Sequence, residues 1–368
     1  MDFLKRIGHK NCNDNDKSGM QKSGAIWLKQ LSECLKTSSD KAPSFQSKNE
    51  IIGELSTMRL RRFGAGRKTG GRAVLLIAPL TVHDASFVDL MRGHSLVSIL
   101  GESKAPVFVT DWRSASSDMR LFSIDTYLAD LNVALDDIGG DVDLVGLCQG
   151  GLLALILAAR FPNKIRRLVL AGTPADVAAK SSPMTRIARK LRTDAQMLPE
   201  DDVVNGGQWL GLMGSAQAHE RAAIDTMQRN PASFARIDLD AIAAYENWTR
   251  NDLDLPGRYT RELIANIFDR NELASGKFRA LGQTIDLSRI CAPIFVLCGA
   301  RDEIVPKEQA LAVLEKVGTP KTRMRTLVAP CGHFSLFVGL GTLSREWRTI
   351  SGWLSSEAAA GRPRVQTA

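Results

Sequence analysis

Three residue types in this chain stand where they could do covalent chemistry. Cys148 lies in Gly146-Leu-Cys-Gln-Gly-Gly151, after an apolar run at 143–147 and before a second at 151–160. A thiol on a sharp strand-to-helix turn is exposed to a substrate only if its neighbours are small, and Gly146, Gly150 and Gly151 meet that need. The helix that follows presents its positive end to the turn, which favours negative charge on the sulfur and on an oxyanion. The backbone N–H of Gln149 then points to where a tetrahedral oxygen would form. A nucleophile of this kind needs an acid and then a histidine, in that chain order, on loops after later strands. Gly299-Ala-Arg-Asp302-Glu-Ile-Val-Pro306 follows the run at 294–297, and Pro330-Cys-Gly-His333 follows the run at 324–328. A buried structural cysteine is the alternative for the turn alone. Cys148, Asp302 and His333 in the required order argue for the chemical reading.

Elements of two kinds must position these residues. Short apolar runs rich in β-formers lie at 73–78, 107–110, 143–147, 165–171, 294–297 and 324–328. Helical patterns lie at 86–100, 123–137, 151–160, 308–317 and 342–354. Strands that alternate with helices predict a mostly parallel sheet flanked by helices. With the nucleophile turn, this is the α/β-hydrolase pattern. Residues 71–177 and 288–356 form its core. The segment 178–287 lacks strand pattern and reads as a helical cap inserted over the pocket. Residues 1–70 are polar and basic with one amphipathic helix at 25–35, and 357–368 read as a disordered tail.

Composition bounds the partners. With 44% hydrophobic and 24% charged residues the 368-residue chain can bury a sizeable core. Net charge is +8, from 48 basic and 40 acidic residues, which suits anionic partners. The basic clusters at 59–63 and 186–192 read as solvated helix faces without interleaved aromatics, so nucleic-acid binding is not expected. The cysteines at 12, 34, 148, 291, 298 and 331 have no framework spacing and read as reduced thiols of a cytoplasmic protein. Cys291, Cys298, Cys331 and His333 fit no common zinc spacing, so neither metal nor cofactor is expected. The start lacks a signal-peptide apolar core, and the run 152–159 is too short to cross a bilayer. Of the other histidines, His9 and His219 read as surface residues and His94 falls within a helical pattern. His83 follows the first core strand, in the loop that supplies a second oxyanion N–H, here that of Val82.

The box at 146–151 resembles that of polyhydroxyalkanoate synthases, above all the short class III type, where Gln also follows Cys. The resemblance runs from about 73 to 354. Val82-His-Asp-Ala-Ser-Phe-Val-Asp-Leu90, Ser95-Leu-Val97, Asp111-Trp112 and Thr173-Pro-Ala-Asp176 are similar to family segments, as are Asp302 with Val305-Pro306 and Gly332-His333. Departures are His83 for Asn, Asn251 for Asp, Glu303 for His, and Cys331-Gly-His-Phe334 for a Gly-Gly-His-Ile type stretch. The resemblance implies a hydroxyacyl-CoA substrate, a polyester product and an acyl chain carried on Cys148. His333 is the base, and Asp302 either serves the incoming hydroxyl or only orients His333. His83 and Trp248 are candidate substrate-binding residues. A place on the polyester granule surface and assembly as a homodimer or with a partner subunit are also implied. Two other functions stay open here: a hydrolase cleaving polyester or thioester, like the intracellular depolymerases, and a catalytically silent granule-associated protein.

Overall fold

Buried parallel strands are covered by helices on both faces, so they read as continuous apolar runs rather than alternating ones. All six such runs form strands. The computed structural model describes residues 43–64, 72–81, 83–103, 105–193, 201–213, 244–245, 247–249 and 251–356. The central sheet has eight strands: β1 (Asn49–Glu54), β2 (Met58–Phe63), β3 (Val74–Ile77), β4 (Val107–Trp112), β5 (Val142–Leu147), β6 (Ile165–Ala171), β7 (Ile294–Gly299) and β8 (Met324–Ala329). Their order is β1-β2-β4-β3-β5-β6-β7-β8. Strand β2 runs antiparallel to both of its neighbours; every other pairing is parallel. This is a mostly parallel α/β sheet, as expected.

The helices that matter for the site are α1 (Ile124–Asp137), α2 (Gln149–Arg160), α3 (Pro183–Thr193), α4 (Gly257–Glu262) and α5 (Arg348–Ser355). Helix α1 starts at a capping box, in which Ser123 and Thr126 each accept the other's backbone N–H. Helix α2 buries every residue from Gly150 to Ala159, so it packs as a central element rather than as an amphipathic surface helix. Each fully buried leucine on it contributes about 1.5–3 kcal/mol. Arg167, fully buried on β6, donates to the carbonyls of Trp353, Leu354 and Ser356 and thereby caps the end of α5.

The sheet begins earlier than the sequence reading placed it. Residues 49–63 were assigned to a polar segment outside the core, and 59–63 to a helix face; they form β1 and β2. Met58, Leu60 and Phe63 are buried. Arg61 pairs at 2.6 Å with Asp111, a buried carboxylate on the neighbouring strand β4. That partner is 50 residues away, so the arginines look solvated in sequence.

The expected helix 86–100 is also divided. Ala85–Val88 is a 3-10 turn, Asp89–Met91 pairs with His94–Ser95, and only Leu96–Leu100 is α-helical. Buried Asp89 accepts from Ser47 N (2.6 Å), Ser47 Oγ (2.9 Å) and Ser95 Oγ (2.6 Å), and this hub breaks the helix. His94 is therefore in a strand pair, with Nδ1 donating to Val338 O at 2.9 Å. In the segment 178–287 the described residues form α3, α4, Gly206–Met213 and a π-helical turn Leu263–Asp269, with strand pairs of two residues at 203–204/255–256 and 279–280/283–284. The helix expected at 25–35, the tail 357–368, His9, His219 and Val82 lie outside the described residues.

Candidate active site

The turn between β5 and α2 is built by its glycines. Cys148 has φ 49° and ψ −120°, a left-handed backbone that costs a non-glycine residue of order 1–3 kcal/mol and recurs at functional sites. A Cβ on Gly146 would sit 2.5 Å from Gly151 Cα, and one on Gly150 2.6 Å from Ala78 O. A Cβ on Gly151 would overlap the Thr173 hydroxyl. Strand, turn and helix can approach this closely only with hydrogen at all three positions. Cys148 N donates to Ala171 O at 2.8 Å, which ties the turn to the end of β6. Cys148 itself is 9% exposed.

The acid and the histidine come from the ends of β7 and β8. Their loops are tied by Ala300 N to Ala329 O (2.8 Å) and Arg301 N to Cys331 O (3.1 Å). Gly299 lets them close up, since a Cβ there would lie 2.6 Å from Cys331 O. Asp302 Oδ2 accepts from His333 Nδ1 at 2.7 Å. Its Oδ1 accepts from the backbone N–H groups of Ile304 (3.0 Å) and Val305 (2.8 Å). The Asp302 side chain is 0% exposed, so both oxygens are occupied inside the protein.

With Nδ1 engaged by Asp302, the imidazole keeps its other nitrogen for the Cys148 thiol, the second group after Asp302 that acts electrostatically on the ring. Burial pulls the His333 pKa down, but the charges of Asp302 and Cys148 and the bonds to them outweigh it and hold it well above the ordinary value. Gly172, at φ +55°, brings the end of β6 against the ring; a Cβ there would lie 3.1 Å from His333 Cε1. Thiol, imidazole and carboxylate thus converge at the carboxyl ends of β5, β7 and β8, where open α/β sheets place their ligands. Such an arrangement can deprotonate a thiol, hold the imidazolium and accept an acyl group on sulfur. The N–H of Gln149, at the first turn of α2, has no intrahelical partner and is available to an oxyanion.

His83 and Trp248 lie side by side, ring centroids 4.6 Å apart. His83 is buried and pairs with Asp252 in an isolated β-bridge, its Nδ1 3.4 Å from Asp252 Oδ1. Burial lowers its pKa, against the opposing pull of Asp252, the Asn251 backbone and Asp84. Trp248 Nε1 donates to Asp84 O at 2.9 Å and Asn251 Nδ2 to Asp84 Oδ2 at 3.0 Å.

The rings continue beyond the residues singled out from sequence. Phe334 stacks on Trp248 at 5.2 Å, with Tyr245 and Phe87 beside them, and Phe87 reaches Phe337, which meets His333 edge-on at 5.2 Å. An aromatic cluster thus connects the segment 245–252 with the histidine loop. Of these aromatics, Trp248 is a candidate substrate-binding residue from sequence, Phe334 is a departure in the stretch 331–334, and Phe87 belongs to the stretch 82–90. Above β3, Ala78 is fixed by Thr110 Oγ1 (3.0 Å to Ala78 N) and by Trp112 Nε1 (2.9 Å to Ala78 O). These two bonds from β4 set the start of the loop that leads to His83.

Comparison with known proteins agrees with this architecture. A family model described as alpha/beta hydrolase fold matches residues 91–340. The poly(3-hydroxyalkanoate) polymerase subunit PhaC of Haloferax mediterranei is 23% identical over 326 residues, covering 85% of this chain and 65% of that protein. The subunit of the same name from Synechocystis is 26% identical, covering 76% of this chain and 77% of the relative. That of Allochromatium vinosum is 24% identical, covering 76% and 80%. The chain therefore spans just under two thirds of the first relative's length and more of the other two. Among solved structures, a monoacylglycerol lipase from Paleococcus ferrophilus has TM-score 0.53 and 18% identity, covering 81% of this chain and 99% of that one. An enol-lactonase from Burkholderia xenovorans has TM-score 0.53 and 18% identity, covering 84% and 100%. These two matches concern the fold. The sheet order β1-β2-β4-β3-β5-β6-β7-β8, with its glycine-lined turn from β5 into α2, and a family match over more than half of the sequence establish that the chain belongs to the alpha/beta hydrolase fold family.

Proposed function

We propose that this protein is a cysteine acyltransferase of the poly(3-hydroxyalkanoate) polymerase kind, acting on 3-hydroxyacyl-CoA. The observation that carries the reading is the strained Cys148 turn beside the Asp302–His333 pair, on a chain similar over three quarters or more of its length to PhaC subunits. His333 takes the Cys148 proton, and the thiolate attacks the thioester carbonyl. The tetrahedral oxygen is held by the N–H of Gln149 and, on this reading, that of Val82, at roughly 3–4 kcal/mol per donor in comparable sites. The intermediate collapses with release of CoA thiol, which takes a proton from the imidazolium. The hydroxyl of a second hydroxyacyl-CoA then attacks the thioester on Cys148 with His333 as base. The Cys148 thiolate leaves and recovers the proton from the imidazolium. The lengthened acyl-CoA acylates Cys148 again with release of CoA, so the chain grows by one unit.

A thiol suits this cycle because its acyl form is a thioester, as reactive as the one consumed, so repeated exchange runs without a large uphill step. The complete engagement of the Asp302 oxygens supports an orienting role for it. His83 and Trp248 would line the acyl side, with 178–287 as a cap over Cys148. The test is CoA release from 3-hydroxybutyryl-CoA with the product analysed in parallel. Polymer formed in step with CoA supports the proposal. Release of free 3-hydroxybutyrate alone would mark a hydrolase, and no release at all would refute enzymatic activity on this substrate.

A further inference from the structure

The loop that carries Asp302 has a second face. Between it and the segment leading into α3 lies an open groove of about 440 Å³, lined among others by Lys180, Arg186, Asp302, Glu303, Lys307 and Glu308. Asp302 is 7% exposed as a residue while its side chain is wholly covered, so it meets the groove through its backbone and His333 through its carboxylate. The groove and the reaction centre are therefore back to back on one residue. The groove also lies beyond the carboxyl ends of β6 and β7, on the same side of the sheet as Cys148, where ligands of such sheets are bound.

Its charges are unspent. Lys180, Arg186 and Lys307 are all exposed, and none forms an ion pair with a described carboxylate. Two of them come from the segment 180–186 and the third from across the groove, so the cations face a common space from both walls. Glu303 and Glu308 are exposed on the same lining. The third lining acid, Asp302, has its carboxylate covered and bonded to His333 and two backbone N–H groups. The charges exposed to the groove are therefore three cations against two acids, and the sign favours an anion. A guanidinium and two ammonium groups spread over a groove of this size suit a ligand with several separated phosphate oxygens better than a single carboxylate.

We infer that this groove docks the nucleotide end of the acyl carrier, its diphosphate and 3′-phosphate, while the thioester reaches Cys148. The inference rests on the acyl-CoA reading above and adds the place and the residues of nucleotide recognition. Because the cations are exposed, each is worth at most about a five-fold change in affinity, and salt screens it. The glutamates oppose the ligand, so removing their charge acts in the opposite direction.

The experiment compares two thioesters of 3-hydroxybutyrate, with CoA and with N-acetylcysteamine, which lacks every phosphate. In K180A, R186A and K307A the KM ratio of the CoA thioester to the truncated one should rise, by up to about five-fold for each charge removed. In E308Q the same ratio should fall. Ratios equal to wild type in all four variants, or moving in one direction irrespective of charge sign, overturn the inference. Calorimetric binding of 3′,5′-ADP is read independently of turnover. Weaker binding in R186A by a protein that releases no CoA keeps the groove and sinks the acyltransferase reading. Unchanged binding in R186A and K180A by a protein that makes polymer does the reverse.

Discussion

Asp302→Asn separates two roles for the acid. In the wild type Oδ2 accepts from His333 Nδ1 at 2.7 Å, and Oδ1 accepts two backbone N–H groups. An asparagine that keeps its oxygen on Ile304 and Val305 must turn its NH₂ toward Nδ1. Donor then faces donor, and the imidazole relieves this by moving its proton to Nε2, where it can no longer accept from Cys148. The lost charge-assisted bond is worth about 1.5–3 kcal/mol, and a buried donor left without a partner costs about 1–3 kcal/mol more. The sum, roughly 2.5–6 kcal/mol, corresponds to about 10²- to 10⁴-fold in rate. Since the Asp302 carboxylate is sealed behind His333, acylation of Cys148 and transfer to the next hydroxyl should slow together. A rapid-quench time course of acyl-enzyme formation, followed by single-turnover transfer, reads the two steps. Normal acylation with arrested chain growth would refute the reasoning and assign Asp302 to the incoming hydroxyl.

Other perturbations test the surroundings. Gly150→Ala should lower stability by about 1–3 kcal/mol, read as a reduced denaturation midpoint, because its Cβ must displace the Ala78 carbonyl from 2.6 Å; an unchanged midpoint would mean that the turn is looser than the packing implies. Iodoacetamide should label Cys148 well before Cys298 and Cys331, whose thiols burial pushes up to about 11, and peptide mapping of a labelling time course gives the order. His83 is held below its ordinary value of about 6.5 by burial, so the unfolded chain binds the extra proton first. Its contribution is fully present above that value and is lost as pH falls through and below it, with a slope of at most about 1.4 kcal/mol per pH unit. Urea midpoints at stepped pH should show this loss in the wild type and a shallower one in H83N. Asn251→Asp places a second carboxylate where the amide now donates to Asp84 at 3.0 Å, and should loosen the segment 247–252; faster amide exchange there checks it, and unchanged exchange would contradict the contact's importance.

The parallel strands, and the placing of Cys148, Asp302 and His333 at the ends of β5, β7 and β8, were legible because each leaves a local trace: a continuous apolar run, or a thiol, acid or imidazole beside glycine or proline. The alternation in Met58-Arg-Leu-Arg-Arg-Phe63 was present too, but three arginines masked it. What makes them tolerable in a sheet is Asp111 on β4 and the acids of β1, which pairing alone brings near. The break at Asp89 depends on Ser47 for two of its bonds, and nothing in 86–100 foretells that partner. The aromatic cluster gathers rings from 87, 245, 248, 334 and 337; the family resemblance draws the eye to Trp248 and Phe334, but nothing in the separate stretches foretells that the five rings meet. Local signals thus gave the candidate site, while the walls around it arise from contacts between distant segments.

The account turns on Cys148 as the carrier of the growing chain. The most direct measurement is peptide mapping by mass spectrometry of enzyme quenched during turnover of 3-hydroxybutyryl-CoA. We expect the peptide containing Cys148 to carry 3-hydroxybutyryl units, one or several, as a hydroxylamine-labile thioester that is absent from Cys148→Ala and from His333→Ala. Polymer made without any acyl mass on that peptide, with the adduct on Cys298 or Cys331 instead, or full turnover in Cys148→Ala, would contradict it.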